Sequence, residues 1–164
     1  MSPIENAAEA RHSARLGAVQ ALYQMEMSGE GDEAVAREFK EHRFGKTLDE
    51  IDMPEADYAH FERVVKGVIA RQAEIDQGVN KVLRQGWPLV RLDATVRAIL
   101  RAGAFELLAC SDVPPKVALN EYVELAGEFF SGDEPAFING VLDGYLKSLG
   151  GPAGAGRHGS TSSA

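Results

Sequence analysis

The stretch Leu89–Ala109, LVRLDATVRAILRAGAFELLA, decides how the rest of this chain is read. Leu92, Val96, Ile99, Leu100, Gly103, Leu107 and Leu108 recur at helical spacing and form a wide apolar stripe. Arg97, Arg101 and Glu106 fall opposite that stripe, which predicts a helix with one buried and one solvated side from about Leu89 to Ala109. Gly86-Trp87-Pro88 breaks the chain before it. Asp112 and the Pro114-Pro115 pair mark the boundary after it, because proline is tolerated in a helix's first turn, where its missing N–H costs little.

Working outward toward the C-terminus, helix resumes after the prolines and runs through Phe130. Ser131-Gly132-Asp133 forms the next junction, with Asp133 as the expected N-cap and Pro135 in the opening turn. Phe137, Val141 and Tyr145, beside Ile138, Leu142 and Leu149, then predict a final packed helix. The segment GGPAGAGRHGSTSSA, residues 150–164, has too little apolar mass to offset its ordering entropy and is expected to be a flexible tail.

Toward the N-terminus, Phe61, Val64, Val65, Val68, Ile69, Ile75, Val79, Val82 and Leu83 predict one long helix, bent near Gly78. A shorter helix is expected from Glu33 to about His42. Residues 7–28 form the first helix, with an apolar edge of Leu16, Val19, Tyr23 and Met27, several alanines favouring helix locally, and Gly29 and Gly31 ending it. The expected class is therefore all-α, two small helical bundles packed together over residues 1–149, followed by the tail.

Composition excludes several alternatives. A single cysteine, Cys110, permits no intramolecular disulfide, which favours a reducing cytoplasm. Apolar runs are broken by charge well short of the roughly 20 residues that cross a bilayer, and the N-terminus lacks a signal pattern, so no membrane association is expected. Histidines 12, 42, 60 and 158 show no metal-ligand spacing, and no glycine-rich phosphate loop follows a strand; neither metal nor cofactor is expected. The candidate acids are dispersed, without a nucleophile-base arrangement, so an enzyme is not expected. The net charge of −8 speaks against gripping duplex DNA by overall basicity, but its distribution is uneven. Residues 26–62 hold 4 basic and 12 acidic side chains, residues 63–101 hold 8 and 3, and residues 102–149 hold 2 and 8, leaving a basic centre.

RAILRAGAFELL, SDVPPKVALNEYVELAGEF and FINGVLD, together with ARHSARLGAVQALYQ in the first helix, resemble the NusB family of transcription antitermination factors over most of residues 10–146. The resemblance implies a NusB-like fold of two packed helical subdomains. It also implies a factor that binds single-stranded boxA RNA together with the small-subunit ribosomal protein NusE. In that family the pair joins other Nus factors and RNA polymerase and promotes processive transcription through ribosomal RNA operons.

Independently of the resemblance, Arg11 and Arg15 stand four residues apart, so both guanidinium groups are expected to face one RNA strand, with His12 beside them. Tyr23, farther along, can stack on a base. Arginines and a half-buried tyrosine are also ordinary features of surface helices. The family commonly has arginine where this chain has His12 and Ser13. Neither residue supplies a full phosphate countercharge, which shifts weight to the protein partner or to other basic groups.

Those groups include Lys81 and Arg84, with Arg63, Lys66, Arg91, Arg97 and Arg101 adding field unless intramolecular pairing consumes them. GDEPAFINGVLD matches the family's junction before its last helix, which implies a surface for RNA and the ribosomal partner at Asp133 and Phe137; Phe137 can stack on a base or anchor the core. Asn139 and Gly140 are expected to permit close helix packing. Glu121 and Glu124 are candidates for contact with a basic ribosomal protein, or simply solvated. The competing function is a helical protein-interaction adaptor with weak or lost boxA binding, motivated by His12 and Ser13.

Overall fold

A computed structural model of the chain describes residues 3–42, 47–48, 51–52 and 57–150. It forms two compact units, within Met1–Ile69 and Ala70–Ala164. The expected flexible tail beyond Gly150 lies outside the described residues. The all-α class holds: helices dominate both units, and the strands among the described residues are Thr47–Leu48 and Ile51–Asp52, an antiparallel pair of two rungs within the acidic stretch.

The first unit contains α1 (Pro3–Ser28), α2 (Asp32–His42) and α3 (Tyr58–Ala70). Gly29, at φ +78, ends α1 in the left-handed conformation that glycine adopts without strain. The buried face of α1 is Ala14, Ala18, Val19, Ala21 and Leu22, whereas Tyr23 and Met27 are exposed. The expected apolar edge therefore holds fully at Val19 and in part at the half-buried Leu16, and fails at Tyr23 and Met27. Small residues carry most of the burial, a choice that a search for large side chains overlooks. Phe39 of α2 stacks on Phe61 of α3 with ring centroids 5.4 Å apart, and Gln24 Nε2 donates to Glu38 Oε1 at 2.8 Å, joining α1 to α2.

The expected single long helix is two. Arg71, at φ −120 and ψ 23, interrupts the pattern, and α4 spans Gln72–Val82. No glycine or proline marks the break. Arg71 donates from Nε and Nη2 to the two carboxylate oxygens of Glu74, at 2.9 and 3.2 Å, and Glu74 complements the positive end of the new helix. Gly78 serves packing instead of a bend: a Cβ there would stand 2.6 Å from Tyr145 Cε1.

The second unit comprises α4, a 3-10 turn at Leu89–Arg91, α5 (Ala94–Ala109), α6 (Pro115–Phe129) and α7 (Glu134–Ser148). Helix α5 begins later than expected because Asp93 caps it, its Oδ1 accepting from the N–H groups of Thr95 and Val96 at 2.8 and 3.1 Å. Packed by α4, α6 and α7, α5 is enclosed nearly all round. The expected solvated side is absent: Arg97 is 7% exposed and Glu106 fully buried. Each polar head is satisfied internally, as burial requires. Arg97 Nη1 donates to the carbonyls of Leu89, Val90 and Leu92 at 3.4, 3.2 and 2.6 Å, and Tyr122 donates its hydroxyl to Glu106 Oε2 at 2.5 Å.

Two further expectations are corrected at α7. Asp133 occupies the N-cap position without a side-chain cap bond, because its backbone is already helical, at φ −86 and ψ −4, instead of extended. Asn139 and Gly140 are exposed, and a Cβ at position 140 would meet nothing within 4 Å. Close approach of helices is provided by Gly103 against Leu142 and by Gly144 against Val82. Cys110 is buried, as its apolar neighbourhood implies.

Candidate nucleic-acid interface

In the first unit, α1 carries the N-terminal basic motif. Arg11 is partly exposed, its side chain retaining 35% of its accessible surface, and Nε donates to Asp57 Oδ2 at 2.9 Å. Asp57 is itself fixed. Its Oδ1 accepts from the His60 N–H at 3.0 Å, capping α3, and its own N–H donates to the Ala10 carbonyl at 3.0 Å. Burial alone would raise the Asp57 pKa, but the His60 amide and the Arg11 guanidinium outweigh it and hold the carboxyl below its ordinary value.

Arg15 is only 3% exposed, Ser13 is buried and His12 half-buried. The two arginines therefore do not both face solvent: four residues turn a helix about 40° past a full revolution, enough here to place Arg15 inside and Arg11 at the edge. Tyr23 is 40% exposed. It lies about 18 Å along α1 from Arg11 and about 120° around it by ideal helix geometry, so the two do not share one face.

In the second unit, Leu83, Arg84, Trp87, Leu92 and Phe137 line a pocket of about 220 Å³. Trp87 and Phe137 are 52% and 41% exposed, unusual for aromatics beside a packed core. The wall is stiff for identifiable reasons. Asn80 Oδ1 accepts from the Leu89 N–H at 2.8 Å, tying α4 to the 3-10 turn, and the buried Arg97 gathers the carbonyls of that turn. Gly86, at φ +90, makes the reversal that exposes Trp87, whose ring lies 5.5 Å from the Arg91 guanidinium carbon.

Pairing consumes much of the central basic group. Arg101 makes a bidentate pair with Asp76, at 3.0 and 2.9 Å, and Lys66 pairs with Glu33 and Glu62. Lys81, in the last turn of α4, and Arg84 are exposed and have no ion-pair partner among the described residues. Asp133 and Glu124 are exposed, and Glu121 is half-buried and engaged within the protein. The structure thus brings Arg84 and Phe137 into one pocket. Trp87 is a residue that sequence reasoning passed over: it served only as part of a helix break, although an aromatic between glycine and proline is poorly placed to enter a core. Asp57 carried no sequence signal at all.

A cationic rim around exposed rings suits an unstacked base and its phosphate, or an aromatic-recognising protein segment. No helix among the described residues is long and apolar enough to cross a membrane.

Residues 12–147 match the family model described as the NusB family. The chain is 55% identical over 142 residues to the transcription antitermination protein NusB of Maricaulis maris, covering 87% of this chain and 89% of that protein. It is 56% identical over 142 residues to the protein of the same name from Caulobacter vibrioides, covering 87% and 95%. Among solved structures it is similar to T. maritima NusB, with a TM-score of 0.71 at 27% identity, covering 90% of this chain and 96% of that one. It is also similar to a chain in a structure of the antitermination factors NusB and NusE in complex with dsRNA, with a TM-score of 0.69 at 25% identity, covering 84% and 96%.

Proposed function

Because this chain belongs to the NusB family, we propose that it is a transcription antitermination factor that binds boxA RNA together with the ribosomal protein NusE. In this role it joins other Nus factors and RNA polymerase in the cytoplasm and supports processive transcription of ribosomal RNA operons. It acts by binding and not by catalysis. The observation that carries the reading at residue level is the pocket in which Arg84, Trp87 and Phe137 meet.

Each unit contributes separately. On α1, Arg11 supplies a guanidinium to a phosphate, His12 a hydrogen bond, and Tyr23 a stacking face on another side of the helix. Arg15, buried, adds positive field from beneath instead of a direct contact. On the second unit, Lys81 and Arg84 provide charge and Phe137 a ring, while Asp133, Glu121 and Glu124 attract the basic ribosomal partner. The acidic remainder of the surface discourages indiscriminate nucleic-acid binding.

The burial of Arg15 and the absence of arginine at positions 12 and 13 favour one competing function, an adaptor with weak boxA binding. Titration of single-stranded boxA RNA with the full chain, alone and with NusE, separates the two. Cooperative RNA binding in the presence of NusE at moderate salt is the expected result. A protein pair that forms without any RNA-dependent complex would establish the adaptor.

A further inference from the structure

The contact between Arg11 and Asp57 is one-sided. Asp57 Oδ2 takes the guanidinium at Nε only, and the terminal nitrogens Nη1 and Nη2 have no partner among the described residues. A guanidinium held by its inner edge keeps four N–H donors in a rigid plane, the geometry that meets two oxygens of one phosphate. Asp57 is well suited to hold it. Its other oxygen is committed to the His60 N–H and its backbone N–H to the Ala10 carbonyl, one residue before Arg11, so the carboxylate cannot swing away to follow solvent.

We propose that Asp57 is a positioning residue for RNA: it fixes Arg11 through Nε and leaves both terminal nitrogens free to grip one phosphate. The inference rests on the proposal that Arg11 meets RNA. A negative charge beside a phosphate site has a cost, and its size decides the sign of the effect. Across the width of a guanidinium in water, carboxylate-phosphate repulsion weakens binding by only about threefold, less in salt. Restricting a long side chain that otherwise samples many rotamers is worth up to about thirtyfold. Positioning therefore wins over repulsion. It also compensates for the loss of arginine at positions 12 and 13, since one oriented guanidinium takes the place of several mobile ones.

The test uses the full chain with NusE and single-stranded boxA RNA, titrated at several salt concentrations. Asp57→Ser keeps a good N-cap for α3 but is too short to reach Arg11, so the fold is retained while the hold is lost. Thermal melting of the variant verifies this, and Asp57→Asn, which keeps one oxygen for the cap, serves as the second variant. Expected results are about tenfold weaker binding for Arg11→Ala and Asp57→Ser, a salt slope shallower by about one unit for each, and no further loss in the double variant. Arg11→Lys is expected to bind as weakly as Arg11→Ala, because a point charge paired to Asp57 has no free fork. If Arg11→Ala weakens binding while Asp57→Ser or Arg11→Lys binds like the parent or tighter, the positioning role is overturned and the Arg11 contact survives. If Arg11→Ala leaves binding unchanged, the contact itself is overturned.

Discussion

Gly78 of α4 sits against the ring of Tyr145 of α7, so that a Cβ at position 78 would lie 2.6 Å from Tyr145 Cε1. Four residues later in α4 and one residue earlier in α7 the relation is mirrored, with Val82 reaching the empty side of Gly144 at the same 2.6 Å. The two helices thus approach through reciprocal glycine notches, each filled by the other's side chain. Tyr145 is 2% exposed, so its ring is enclosed by neighbouring side chains that a shift would disturb. Gly78→Ala is expected to destabilise the protein by about 1–3 kcal/mol through overpacking, partly offset by about 1 kcal/mol of improved helix propensity. Gly140→Ala, where a Cβ meets nothing within 4 Å, has only the propensity gain and is expected to stabilise by up to about 1 kcal/mol. Urea denaturation of the two variants should move in opposite directions.

The same ring sets an alkaline limit. Burial, with the Glu74 carboxylate adding to it, raises the Tyr145 pKa to about 12. A phenol whose folded pKa exceeds its unfolded value near 10 contributes stability that is complete below pH 10 and is lost as pH rises toward 12. Denaturation midpoints should therefore fall between pH 10 and 12, and Tyr145→Phe should remove that component of the fall. An unchanged pH profile in the variant would assign it to other groups.

Much of this fold is legible in the sequence, and what escapes has a physical cause. Apolar periodicity locates the helices because burial of large side chains on one face repeats with the helical turn. It misses the buried face of α1, built from Ala14, Ala18 and Ala21, and the break at Arg71, which a local pairing with Glu74 stabilises without glycine or proline. It also misplaces Arg97 and Glu106, since a charged residue in a linear string gives no sign that three carbonyls or a tyrosine hydroxyl await it inside. Candidate site residues follow the same rule: Arg84 and Phe137 are visible by type, but their meeting with Trp87 depends on chain segments more than 40 residues apart.

Glu106 and Tyr122 form the most enclosed polar pair of the second unit, both with no exposed surface. Removing the hydroxyl in Tyr122→Phe takes a donor from a buried carboxylate and is expected to cost about 1–3 kcal/mol. The ring volume is unchanged, so packing is not the cause. Equilibrium unfolding measures the loss, and a variant as stable as the parent would show that the hydroxyl contact contributes nothing net.

Arg101 and Asp76 separate structural from nucleic-acid charge. Their bidentate pair, with side chains 12% and 23% exposed, leaves little of the guanidinium for a phosphate. Arg101→Ala is expected to lower stability by about 1–3 kcal/mol, because Asp76 loses its partner in a partly dry environment, while leaving the salt dependence of RNA binding unchanged. A shallower salt slope would instead place Arg101 among the phosphate contacts.

Trp87→Ala and Phe137→Ala test the pocket from the opposite direction. Both rings are exposed enough that truncation should cost at most about 1 kcal/mol of stability, far less than the 3–5 kcal/mol of a core aromatic. As paired faces of one pocket with Arg84 at its edge, each is expected to weaken the complex with NusE and boxA RNA at least tenfold, near the loss typical of a stacked base or an aromatic anchor. The two losses should not add, because either truncation opens the same pocket to water. Measuring the pair with NusE alone and then with RNA assigns the pocket to protein or nucleic acid. Wild-type affinity for both, from variants that melt like the parent, would remove the pocket from the interface.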